Sequence, residues 1–305
     1  MKVGLALGSG SARGWAHFGV IRELRALGVS IDIVCGTSVG ALVGAALASG
    51  NEEAMAEWVA RLGWTDVVAL MDVSLRGGAL QGDKVVEYCA EHFFADRFEA
   101  LQLPFACVAT ELSSGREVWL REGLLAPALR ASIALPGMFQ PQRLRGHWLV
   151  DGGLVNPVPV SLCRALGADV VIAVELGAGR ATRHMRKAPP FREKPVEPER
   201  SGWTEQMKER FLSWVGASSL FDWVDAREAA DEIPTLGAVL ATSINIMQTR
   251  IARARLAGDP PDVLIQPRLT EFSILDFHRG KEAIEEGVAA TRRVRAQIEA
   301  VLDGF

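Results

Sequence analysis

One stretch limits what this 305-residue chain can fold into: Ile31-Asp32-Ile33-Val34-Cys35-Gly36-Thr37-Ser38-Val39-Gly40-Ala41-Leu42. It reads as a short apolar strand, then G-x-S-x-G, then a helix of small residues. A strand that enters a helix within so few residues must reverse through a sharp elbow. Gly36 and Gly40 flank Ser38 two positions away on either side, where the two backbones crowd and a Cβ would clash. Ser38 is pushed to the tip. Its hydroxyl then sits at a helix N-terminus, where free N–H groups and the helix dipole favour negative charge. Ser38 is therefore a candidate nucleophile. The same five residues also suit a plain Gly-rich turn without chemistry, so the flanking elements and the other motifs must decide.

The flanks alternate strand and helix. Residues 3–7 form an apolar strand, Gly8-Ser9-Gly10-Ser11-Ala12-Arg13-Gly14 a loop, and residues 15–27 a helix ending at Gly28. A strand at 31–35 and a helix at 39–48 follow. Gly50 suits a helix C-cap, and Asn51 suits the N-cap of a helix over 52–62. This order predicts an α/β fold, a three-layer α/β/α arrangement with a mostly parallel central sheet. The strands are continuous apolar runs, as expected when helices cover both faces. Residues 82–94 read as helix, and 105–110, 117–120, 148–150 and 170–175 as strands. After Gly177 the composition turns to Arg, Lys, Pro and Glu, so 178–234 is expected to be a flexible or lid-like excursion. A helix at 235–256, a strand at 262–266 and a helix at 278–302 complete the chain. One domain is expected over 1–305, with its catalytic motifs between residues 3 and 175.

The chain is 49% apolar and 23% charged, with a net charge of −4. That is ordinary for a soluble globular protein and offers no basic field for nucleic acid. Cys35, Cys89, Cys107 and Cys163 are widely spaced without C-x-x-C, which reads as reduced core cysteines, with neither disulfide nor zinc. No metal or cofactor is expected. Residues 1–7 run straight into structure and do not read as a leader. The weakly polar run 33–48 is shorter than the ~20 residues that a membrane span needs. The expectation is a cytoplasmic protein, with peripheral contact to the inner membrane face if its substrate is a lipid.

A nucleophilic serine needs a base, an oxyanion stabiliser and a shaped pocket. The loop over Gly8, Ser9, Gly10, Ser11, Arg13 and Gly14 offers converging N–H groups for an anion. A dinucleotide loop is its rival, although the spacing G-x-G-x-x-x-G departs from G-x-G-x-x-G. The Arg13 fork suits either bracing of loop carbonyls or a surface salt bridge. None of the five histidines, His17, His92, His147, His184 and His278, has the strand-to-loop setting of a triad base. Asp151 is the better candidate. In Trp148-Leu149-Val150-Asp151-Gly152-Gly153 a carboxylate ends a strand, and two glycines let the backbone turn away at the sheet edge where open α/β sheets keep their sites. An ordinary Asp-Gly-Gly turn has the same composition.

Together, the Gly-rich loop with Arg13, then Gly36-Thr37-Ser38-Val39-Gly40, then Asp151-Gly152-Gly153, in that order, resemble the patatin-like phospholipase family. The chain is most similar to its short bacterial members related to the catalytic domain of neuropathy target esterase. Arg130-Ala131-Ser132-Ile133-Ala134-Leu135-Pro136-Gly137-Met138-Phe139-Gln140-Pro141 and Asn156-Pro157-Val158-Pro159 resemble the segments before and after the family's aspartate. The resemblance implies a patatin-like fold and a serine acyl-ester hydrolase acting on lipid or lysophospholipid-like esters. It implies a Ser38–Asp151 dyad without a histidine, and an oxyanion hole of backbone amides around Gly10 and Ser11. The family's loop is often three consecutive glycines. Here Ser9 and Ser11 add Cβ atoms where substrate approaches.

Trp203, Trp214 and Trp223 sit close together among other apolar residues. With the basic run 180–194, they read either as a lid that touches lipid head groups or as a segment folded onto its own core. Beside the hydrolase, a regulatory or ligand-binding protein that retains the fold is the alternative.

Overall fold

The structure is a computed structural model describing residues 1–70, 82–177, 236–273 and 275–303. The Trp203 cluster, the basic run and the 178–234 excursion lie outside the described residues. β1 (Val3–Leu7) passes through a 3₁₀ turn (Ser11–Trp15) into α1 (Ala16–Ala26). β2 (Ile33–Thr37) leads to α2 (Val39–Ala48), α3 (Glu52–Arg61), α4 (Trp64–Leu70) and α5 (Asp83–His92). β3 (Phe105–Glu111) and β4 (Glu117–Leu120) form a hairpin, followed by α6 (Leu125–Ser132) and a second hairpin of β5 (Gln142–Leu144) and β6 (His147–Asp151). α7 (Val160–Ala165), β7 (Val170–Val174), α8 (Leu236–Gly258), β8 (Val263–Ile265), α9 (Gly280–Arg293) and α10 (Arg295–Asp303) follow.

Among the described residues the strands make one eight-stranded sheet, hydrogen-bonded in the order β5-β6-β3-β2-β1-β7-β8, with β4 added on β3. β1, β2, β3, β7 and β8 are parallel; β3 pairs antiparallel with β4 and with β6. This is the expected mostly parallel sheet between helices. Every residue of β1, β2 and β7 is buried, because helices cover both faces. Leu5, Leu7, Val34 and Val174 pack with α1, α2, α3 and α9 on one face; Ala6, Cys35, Ala173 and Val108 pack with α7 and α8 on the other. All four cysteines are free and buried. Among the described residues, no helix is long and apolar enough to cross a membrane.

The register around β3 positions the site. β4 pairs with Cys107–Thr110 along one edge of β3. β2 pairs with 105–108 and β6 with 109–111, so both must lie along the opposite edge. They run in opposite directions and meet end to end. Thr37 pairs with Val108, and Asp151 with the adjacent Ala109.

Local differences from the sequence expectations have physical causes. β2 begins at Ile33, because the Asp32 carboxylate accepts the Val3 N–H at 2.7 Å instead of extending the strand. The Asn51 side chain does not cap α3; it donates to the Phe93 carbonyl at 3.1 Å. The C-terminal helix is two helices, α9 and α10, separated at Val294. Gly50 does take the left-handed conformation of a C-cap, with φ +76°.

α1 and α9 approach closely through Gly19 and Gly287. A Cβ on Gly19 would lie 1.9 Å from the Ile284 carbonyl oxygen, and one on Gly287 would lie 2.0 Å from that of Ala16. Gly19→Val should therefore destabilise the protein by about 2 kcal/mol or more, since backbone must move. Gly258→Ala, at the open end of α8 where a Cβ meets nothing, should be neutral or slightly stabilising. Denaturant unfolding of the two variants, side by side, checks both.

Candidate active site

Ser38 sits between β2 and α2 with φ 58° and ψ −127°, a conformation that an L-residue adopts only under constraint. The flanking glycines make it possible. A Cβ on Gly36 would lie 2.4 Å from the Gly40 carbonyl oxygen, and one on Gly40 would lie 2.2 Å from that of Leu7. The elbow is pinned from outside. Thr37 Oγ1 donates to the Asn156 carbonyl at 2.9 Å. The Ser38 N–H donates to Ser132 Oγ at 3.0 Å, and Ser132 Oγ donates in turn to the Val108 carbonyl at 2.7 Å.

Asp151, at the end of β6, is fully buried. Ser38 Oγ donates to its Oδ2 at 2.6 Å, and the Gly153 N–H donates to its Oδ1 at 2.7 Å. Its N–H bonds to the Ala134 carbonyl at 2.9 Å, and its own carbonyl accepts from Thr110 Oγ1 at 2.8 Å. Burial pushes the carboxyl up from 3.8 to about 6, against the opposing pull of the Ser38 and Gly153 hydrogen bonds. Gly152 must be glycine, because a Cβ there would lie 2.2 Å from the Val108 carbonyl oxygen.

The Gly-rich loop divides its work. The Gly8 N–H bonds to the Val174 carbonyl at 3.1 Å and the Ser9 N–H to that of Pro157 at 2.8 Å, so both anchor the loop. Among the described residues, the N–H groups of Gly10 and Ser11 have no acceptor. Ser11 holds φ 50°, and its side chain lines the same cavity as Ser38. Gly10 has no room for a side chain, since a Cβ would lie 2.6 Å from Leu176. Gly14 packs on the start of α2, with a Cβ position 2.2 Å from Val39. Arg13 is buried, not a surface ion pair. It donates to the Gly10 and Leu176 carbonyls, each at 3.2 Å, and to Asn245 Oδ1 at 3.3 Å.

None of the four described histidines bonds to Ser38. His147 is exposed and pairs with Glu111, His92 bonds to the Tyr88 carbonyl, and His278 lies edge-on to Trp64. His184 lies outside the described residues. His17 has a role that the sequence reading missed. It is wholly buried beneath the loop, and its Nε2 lies 2.8 Å from the Gly8 carbonyl, which can only accept. The ring is therefore the neutral Nε2–H tautomer, and burial holds its pKa down at about 4. Ser132 was also missed as a contributor. Its only signal was membership of the 130–141 segment.

Ser38 opens on an apolar cavity. Val39 and Leu42 of α2, Trp58 of α3, Ile133, Leu135, Met138 and Phe139 after α6, and Leu275 and Phe277 form most of its wall. The Trp15 indole N–H fixes the Phe277 carbonyl at 3.1 Å.

The model of the family described as patatin-like phospholipase matches residues 5–164. An uncharacterised NTE family protein of Mycobacterium bovis is 34% identical across 97% of this chain and 92% of its own. Lysophospholipase NTE1 of Mycosarcoma maydis is 38% identical across 58% of this chain but 10% of its own length. Patatin-like phospholipase domain-containing protein 6 of Homo sapiens is 32% identical across 58% of this chain and 13% of its own. Among solved structures, VipD from Legionella pneumophila shares the fold, with a TM-score of 0.54 at 14% identity, covering 97% of this chain and 66% of that one.

The buried carboxyl has a thermodynamic signature. Between the unfolded value of 3.8 and the folded value of about 6, the native state holds a proton that the unfolded state has released. Native stability from this group therefore rises as pH falls through about 6 and levels off below the unfolded value. His17 acts in the opposite direction over its own range, from 6.5 down to about 4. Wild type should consequently gain stability relative to Asp151→Asn as pH is lowered from 7 to 4, measured as the difference between their denaturant unfolding curves.

Proposed function

The chain belongs to the patatin-like phospholipase family, and from that premise we propose that it is a serine acyl-ester hydrolase working through a Ser38–Asp151 dyad. Family membership supports hydrolysis of lipid esters in general terms. The assignment of residues rests above all on the 2.6 Å hydrogen bond between Ser38 Oγ and Asp151 Oδ2 at a strained elbow facing an apolar cavity.

In this mechanism the Ser38 oxygen attacks the acyl carbonyl while its proton passes to Asp151 Oδ2. The carbonyl oxygen becomes an oxyanion and takes hydrogen bonds from the N–H groups of Gly10 and Ser11. Collapse breaks the ester bond, and Asp151 returns the proton to the departing alcohol. Water then attacks the acyl–Ser38 ester, again giving its proton to Asp151. The acyl–Oγ bond then breaks, Asp151 returns that proton to Ser38 Oγ, and the fatty acid departs with both side chains restored. A carboxyl with a pKa of about 6 is ionised at neutral pH yet is a stronger base than an ordinary aspartate, which suits this task. Gly36, Gly40, Gly152 and Gly153 serve geometry, and Gly8, Ser9, Arg13 and Gly14 hold the oxyanion loop. Residues 1–305 act as one domain in this account, since β8 and α9 complete the sheet and helix layer begun by β1 and α1. A lipid substrate would be reached from the water side.

Ser38→Ala and Asp151→Asn should each lower turnover of a soluble ester by about 10³ or more, and the double variant by little more, because the two groups act as a unit. His17→Gln and His147→Gln should cost far less. The pH profile of kcat/KM should fall tenfold per unit below about 6, as Asp151 takes up a proton. A fluorophosphonate probe should label wild type at Ser38 alone. A chain that neither labels nor hydrolyses would instead be a ligand-binding protein on the same fold.

A further inference from the structure

The cavity beside Ser38, which also touches Val67, Leu70 and Val85, is bounded along α2 and α3. Along α2 its lining runs from Val39 to Leu42 and stops. α3 packs back on α2, and there the lining runs from Leu62 to Trp58 and stops. Trp58 is half-buried. Its indole borders the cavity and is also stacked on Tyr88, with centroids 5.2 Å apart, and tilted against Phe93 at 5.6 Å. Tyr88 is stacked in turn on exposed His92 at 4.3 Å. Packed against two rings, the indole is a fixed wall, not a swinging side chain. Beyond it lie Tyr88, then His92, then solvent.

We propose that Trp58 sets the longest acyl chain this site accepts. The proposal rests on the hydrolase reading given above. With the acyl carbonyl at Ser38, the chain runs beside α2 past Leu42, and its terminal methyl stops at the indole. Phe277 and Leu275 close the cavity from a segment outside residues 5–164. The matched family segment alone therefore does not define this cavity. Each methylene that enters should raise kcat/KM about fourfold, until the chain meets the wall.

The test uses saturated para-nitrophenyl esters from acetyl to palmitoyl, with each variant read relative to its own shortest ester. In wild type, log kcat/KM should climb with chain length to a break and then flatten or fall. Trp58→Ala should move the break to chains longer by about two methylenes or more, since the vacated volume becomes part of the cavity. Trp58→Phe should move it less, in the same direction. Leu42→Phe, which narrows the channel before the wall, should move it to shorter chains. Should Trp58→Ala fail to fold, the other two variants carry the test, because both keep the packing nearly filled. A break at the same length in wild type and all folded variants overturns the proposal while leaving the hydrolase intact. Absence of ester hydrolysis in wild type, or full hydrolysis by Ser38→Ala, overturns the hydrolase reading and the proposal with it.

Discussion

β2 and β6 end head to head along one edge of β3, and the geometry of the whole site depends on that junction. Thr37 and Asp151 pair with consecutive residues of β3, Val108 and Ala109. Consecutive strand positions are about 3.3 Å apart. The residue after Thr37 is thereby delivered to the Asp151 carboxylate by the sheet itself. Such a junction leaves a seam where neither strand continues. Ser132 fills it, accepting from the Ser38 N–H and donating to the Val108 carbonyl. Gly152 is the other accommodation, leaving β6 past the same carbonyl where no Cβ fits.

Around this junction the protein holds several unfavourable states in place. Ser38 and Ser11 occupy left-handed backbone conformations, and Asp151 is a fully buried carboxyl. Each persists because rigid neighbours leave no alternative. Arg13 and His17 supply that rigidity beneath the loop, one as a buried fork on carbonyls, the other as a neutral ring donating to Gly8. With Gly8 and Ser9 anchored, the N–H groups of Gly10 and Ser11 have no acceptor among the described residues.

The parts of this arrangement that were legible in the sequence are those encoded locally. The runs that became β1, β2, β3 and β7 were readable because double-sided burial demands continuous apolar strands. The Ser38 elbow was readable because Gly36 and Gly40 betray a tight reversal within five residues. β5 was not, since Gln-Arg-Leu on a half-exposed hairpin shows no pattern, and the short helices α6 and α7 lack a clear helical period. Asp151 was visible as a turn-like Asp-Gly-Gly, but only the ordered set of motifs pointed to Ser38 as its partner. Ser132, Thr37 and His17 stayed hidden in their roles. The hydrogen bonds of Ser132 and Thr37 join residues 94 and 119 positions from their partners. That of His17 depends on a loop folding back over α1.

The separation of Ser38 from Asp151, 113 residues, also bears on when the site comes into being. The elbow is a local structure, built from β2, two glycines and the first turn of α2. The Asp151 carboxylate to which Ser38 donates arrives only after β3 is in place and the β5–β6 hairpin has closed onto the free half of that strand's edge. Long-range pairings of this kind carry a loop-closure cost and tend to form late. A nascent or partly folded chain therefore carries a serine at a helix tip with no carboxylate beside it. In the mechanism proposed above, hydrolytic competence is thus a property of the finished sheet and not of the elbow alone.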